Sequence, residues 1–80
     1  MDGIYNNSQI EQILLIAARL PSMGLNYVAQ ETGININTLY KYSNGTNHFS
    51  AKNADIMLNW LKDCRPDALE AAIILYNRSG

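Results

Sequence analysis

Four interruptions decide what this chain can become. Pro21, Gly33, the Asn44-Gly45 pair and Pro66 divide it into pieces with room for short elements only. Proline lacks an N–H and clashes with the turn before it, and glycine readily takes the left-handed backbone that ends a helix. Between the breaks, apolar residues recur at three-to-four spacing, the period of a helix, and strands have little support. The expectation is an all-α fold: a compact bundle of about five short helices in one domain, residues 1-80.

The first helix lies in "NNSQIEQILLIAARLPS". Ser8 followed by Glu11 reads as a capping box, the serine oxygen accepting from a free N–H while the glutamate reaches back. Ile10, Ile13, Leu14, Ala17 and Leu20 form its inward face, and Pro21 ends it at about Leu20. The second, "GLNYVAQETG", turns Val28 and Ala29 inward beside Leu25 and Thr32, and Gly33 stops it. The third, "INTLYKYSNG", is capped by Asn35 and stopped by Asn44-Gly45. Ser50 caps the fourth, whose stripe is Ala54, Met57, Leu58 and Leu61, with Ile56 and Trp60 off it. Pro66 opens the fifth at the one helical position that favours proline. Asp67 and Glu70 suit its positive end and Arg78 its negative end. Helices four and five together cover about 51-78. The apolar residues of the fifth spread over more than one face, so it is either deeply buried or shares one side with another chain.

The formal net charge is −1 and the hydrophobic fraction 48%. Near-neutrality is unusual for a nucleic-acid protein, but the charges are unevenly placed. No acid stands between Thr32 and Ala54, where Lys41, His48 and Lys52 lie. Asp2, Glu11 and Glu31 precede that stretch, and Asp55, Asp63, Asp67 and Glu70 follow it. The middle of the chain is either a locally cationic surface or a chance gap. No basic leader with an apolar run is present, and the longest apolar run, Ile13 to Ala18, is far below the ~18 residues of a membrane span. A cytoplasmic protein without membrane contact is expected. Cys64 has no second cysteine for a disulfide or metal site. With one histidine, no His–carboxylate pair at useful spacing and no glycine-rich phosphate loop, no enzyme, cofactor or metal is expected.

The stretch "VAQETGININTLYKYSNG" resembles the lambda-repressor-like, or Cro/CI-type, DNA-binding domains. In that family the second and third helices form a helix-turn-helix, here at about 25-45. Ala29 matches the small residue early in the second helix, Gly33 the turn glycine and Ile34 the apolar residue after it. Leu39 and Tyr42 match inward positions of the third helix, and Asn44 and Gly45 the usual stop. Thr32 stands where the family usually has an apolar residue, and Leu25 near the place of a glutamine that often touches the DNA backbone.

The resemblance implies that the helix at about 36-43 reads the major groove. Ile36, Asn37 and Lys41 are the implied base readers. Asparagine pairs bidentately with adenine, lysine donates to guanine, and Ile36, expected to be exposed, meets a thymine methyl. Asn44, Thr46 and Asn47, with Tyr40 and Lys52, are the implied backbone contacts. Each has a plainer alternative: Asn37 as a helix-start residue, Tyr40 and Trp60 as core, His48 as a solvated turn residue. So few positive charges bind DNA weakly. The implied form is therefore a homodimer through helix five, with Ile74, Leu75 and Trp60 at the seam. The implied function is a sequence-specific, repressor-like transcriptional regulator of bacterial or phage type that binds double-stranded DNA. The alternative is a helix-turn-helix protein-binding module, such as an antirepressor or a cofactor of another regulator.

Overall fold

A computed structural model describes residues 6–79, and Asp2, counted above among the acids, lies outside the described residues. The chain runs through five helices: α1 Asn7–Ala18, α2 Leu25–Thr32, α3 Ile36–Ser43, α4 Ala51–Cys64 and α5 Pro66–Ser79. No strand occurs among the described residues, and none of their helices is long and apolar enough to cross a membrane. The fold is an all-α bundle.

The start of α1 differs from the expectation. Asn6, not Ser8, is the N-cap, its side chain accepting from Gln9 N at 2.8 Å while Gln9 Oε1 accepts from Asn6 N at 2.9 Å. The same reciprocal chemistry operates two residues earlier, because asparagine caps as well as serine and glutamine substitutes for glutamate. Glu11 is thereby released from capping. The end also comes earlier. Arg19 N and Leu20 N bond back to Ile16 and Ala17 at three-residue spacing. The last turn tightens in this way, and the α-helix stops at Ala18 ahead of Pro21.

The remaining boundaries follow local chemistry. Gly33 ends α2 with φ of +77°, the left-handed conformation that costs a residue with a Cβ about 1 kcal/mol or more. Ser50 caps α4 by accepting from Asn53 N at 3.1 Å. Pro66 opens α5 directly after Arg65, the single residue between α4 and α5.

α1 runs along the bundle and packs on α3, α4 and most extensively α5, while α2 lies against α3 and α4. The core collects Ile13, Leu14 and Ala17 from α1, Val28 from α2, Leu39 and Tyr42 from α3, Met57, Trp60 and Leu61 from α4, and Ala68, Leu69 and Ala72 from α5. Ile10 and Leu20 are only half-buried. Met23 and Phe49 join the core from connecting segments, where no periodicity announces them. No polar or charged residue is buried among those described.

Arg65 ties the α4–α5 corner together. Its carbonyl accepts from Ala68 N and Leu69 N, and its Nε and Nη2 donate to the two oxygens of Asp67, each at 3.1 Å. The guanidinium also lies over the Tyr27 ring at 5.8 Å, and Tyr27 meets Trp60 edge-on at 5.7 Å. The start of α2 is thus held to the corner. Hydrogen bonding from Arg65 keeps the Asp67 carboxyl below its usual value of 3.8.

Two outcomes follow from these contacts. Asn6→Ala is expected to cost about 1 kcal/mol in denaturant unfolding and Ser8→Ala less than about 0.5 kcal/mol; equal losses would contradict the cap assignment. A depressed carboxyl pKa stabilises the fold above the unfolded-state value and loses that effect as pH falls through the folded-state value. The Tm of the parent should therefore exceed that of Asp67→Asn near neutral pH by a small amount, since Asp67 is largely exposed. That gap should close below 3.8. A gap unchanged on acidification would show that Asp67 acts through something other than its charge.

Candidate nucleic-acid interface

α3 has eight residues, too few for a helix to persist on its own in water. Its position is set by its ends and by its inward side chains. At the start, Asn35 accepts from Asn37 N at 2.8 Å. Just before it, the Thr32 hydroxyl donates to Val28 O at 2.7 Å and accepts from Ile34 N at 3.2 Å. That hydroxyl straps the turn, a use for threonine that an apolar residue at this place does not have. Gly33 N closes α2 on Ala29 O at 2.9 Å, and Ile34 is buried.

At the far end, each of the last four carbonyls of α3 has a donor. Asn44 N bonds Tyr40 O, Thr46 N bonds Lys41 O and Gly45 N bonds Tyr42 O, at 2.9, 2.9 and 3.0 Å. The last carbonyl, Ser43 O, accepts two bonds from the Arg19 guanidinium, Nε at 2.9 Å and Nη2 at 2.6 Å. Gly45, with φ of +77°, lets the chain fold back over the helix end. Between the ends, Leu39 is fully buried, and the Tyr42 ring stacks on Phe49 with centroids 4.1 Å apart. Tyr42 OH accepts from Asn53 Nδ2 at 2.9 Å, fixing α3 to the first turns of α4.

With both ends and one face engaged, the other face of α3 is left outward. Asn37, Tyr40, Lys41 and Asn44 are all exposed and lie at i, i+3, i+4 and i+7, a single stripe. The side chains of Asn37, Tyr40 and Lys41 have no hydrogen bond or ion pair among the described residues. Ile36 departs from the expectation: it is half-buried, because one residue before Asn37 it sits about 100° round the helix from it, at the edge of the stripe nearer the bundle. Thr46 and Asn47 are exposed in the loop that folds back on α3, both with N–H groups directed at Lys41 O. Lys52 is exposed in the first turn of α4, beside the Asn53 that holds Tyr42.

The residues expected at a seam separate. Ile74 and Leu75 are exposed, at 49% and 39%. Trp60 is buried in the chain's own core, because its ring fills the space beside Tyr27, and its Nε1 finds no hydrogen-bond partner among the described residues.

Two contacts had no signal in the sequence. Arg19 reaches α3 across 24 residues. His48 Nδ1 lies 2.7 Å from Glu11 Oε1, a histidine–carboxylate pair 37 residues apart that joins the loop before α4 to α1. Beside that pair, a groove of about 240 Å³ opens between α1 and α4, lined by Ile10, Glu11, Phe49, Ala54, Asp55 and Leu58 among others. No group of three or more metal-ligating side chains is gathered among the described residues.

The chain matches no protein-family model, no curated protein and no solved structure. Its function has to be read from the geometry.

Proposed function

We propose that the protein is a sequence-specific DNA-binding regulator of transcription, repressor-like and of the Cro/CI type, acting in the cytoplasm of a bacterium or on behalf of a phage. In this reading α2, the Gly33 turn and α3 are a helix-turn-helix, and α3 enters the major groove. The observation that carries it is the outward stripe of α3 and its C-cap: Asn37, Tyr40, Lys41 and Asn44 exposed in one line, with both helix ends and the opposite face engaged. Asn37 and Lys41 read bases, the half-buried Ile36 contributing at the edge, and Tyr40, Asn44, Thr46, Asn47 and Lys52 meet the backbone. The role is binding, not catalysis.

Duplex titration at low and moderate salt tests the reading, since neutralised phosphates give a steep salt dependence. Lys41→Ala should weaken binding by ~1–3 kcal/mol and relax preference at one base pair. Full affinity in that variant would show that α3 does not present this face to DNA.

Few cations per chain imply that two copies bind together, one half-site each. We place the seam on the outer face of α5, where Ile74 and Leu75 are exposed. Sedimentation of the parent should show a dimer at micromolar concentration and Leu75→Glu a monomer. A parent that sediments as a monomer contradicts the seam.

A second reading has one observation in its favour. The groove between α1 and α4 combines an apolar floor with Glu11 and Asp55, a surface suited to a protein and hostile to a phosphate. Absence of duplex binding even at low salt would favour a helix-turn-helix module that docks a protein partner.

A further inference from the structure

The residue that closes α3 has capacity left over. A guanidinium carries five N–H donors in a rigid fork. Arg19 uses Nε and one N–H of Nη2 on a single carbonyl, Ser43 O. The remaining donors, two on Nη1 and one on Nη2, have no acceptor among the described residues, and no described carboxylate pairs with Arg19. The residue is exposed. By contrast, Arg65 spends its fork on the two carboxylate oxygens of Asp67.

Position matters as much as capacity. Ser43 O is the C-terminal carbonyl of α3, where the helix dipole leaves partial negative charge that would repel a phosphate. The guanidinium seated on that carbonyl reverses the sign of the local field. It stands next to Asn44 and the loop through Asn47, the segment read above as meeting the DNA backbone. It also adds a third cation to Lys41 and Lys52 in a region that has no acid of its own between Thr32 and Ala54.

We propose that Arg19 is a phosphate-binding residue of the duplex interface, clamped by its own fork to the end of α3. The proposal rests on the reading of α3 as the DNA-binding helix. One side of the guanidinium fixes where the helix ends and the other receives a backbone phosphate, so the reading helix and its nearest phosphate are held in one register. Lysine is less suited to both tasks, because its three donors rotate on a flexible stem and do not hold two acceptors in one fixed plane.

The test compares Arg19→Ala, Arg19→Lys and Arg78→Ala with the parent. Arg78, near the end of α5, controls for the loss of one positive charge. Trp60 fluorescence first establishes that each variant is folded. Binding to a random-sequence duplex is then followed across a salt series, and amide hydrogen exchange is followed at Asn44, Gly45 and Thr46 without DNA. Arg19→Ala should lower the salt slope by about one per protomer and speed exchange at those amides. Arg19→Lys should recover the slope but not the protection, and Arg78→Ala should match the parent in both. A parent that binds with an Arg19→Ala slope equal to its own overturns the phosphate contact while leaving the DNA reading intact. Unchanged exchange in Arg19→Ala overturns the clamp. A parent that binds no duplex overturns the DNA reading and the proposal with it.

Discussion

An eight-residue helix does not stand alone in water, so everything about α3 depends on what holds its ends. Thr32, Gly33 and Asn35 define where it begins, and the backfolded loop and Arg19 satisfy its last carbonyls. Tyr42 carries the inward load, with its ring on Phe49 and its hydroxyl bound by Asn53. The physical consequence is a division of labour. Structural duties fall on the ends and the inner face, and the outer stripe is free of them. A polar helix face that neither packs nor pairs internally is where a surface can be shaped for a partner.

Charge follows the same division. The chain is nearly neutral, yet its charged groups are sorted by contact. Glu11 is engaged by His48 at the α1–α4 side, and Asp67 by Arg65 at the α4–α5 corner. Lys41 on α3 and Arg19 at its end are cationic and exposed, as is Lys52 in the first turn of α4, while Glu31 at the end of α2 is an exposed acid. The groove between α1 and α4 has the opposite character, with carboxylates above an apolar floor. A small bundle can therefore offer two chemically distinct surfaces without a large net charge. Exposed Ile74 and Leu75 on α5 add apolar area to a third.

What could be read from the sequence was local. The left-handed Gly33, the caps Asn35 and Ser50, the Asn44-Gly45 stop and the opening Pro66 each act within a few residues, and each stands where expected. The misreadings have local causes too. Asn6 and Gln9 offer the chemistry attributed to Ser8 and Glu11, so the pattern was right and its register wrong. The three-residue bonds after Ala18 shorten α1 below what Pro21 alone suggested. Periodicity assigned Trp60 no certain face, and tertiary packing with Tyr27 decided it. Arg19 on Ser43, His48 on Glu11, and the burial of Met23 and Phe49 were not legible at all. They join distant segments or lie in loops, where neither spacing nor propensity carries information.

Contact between the outward stripe of α3 and duplex DNA, as proposed, can be observed residue by residue. The most direct measurement is an amide and side-chain NMR titration of the protein with a duplex recovered from a random pool, at low salt. Such contact should concentrate shifts at Asn37, Tyr40, Lys41 and Asn44, continuing into Thr46 and Asn47. Shifts confined to the groove residues Ile10, Phe49 and Leu58, or a spectrum that DNA leaves unchanged, would contradict it.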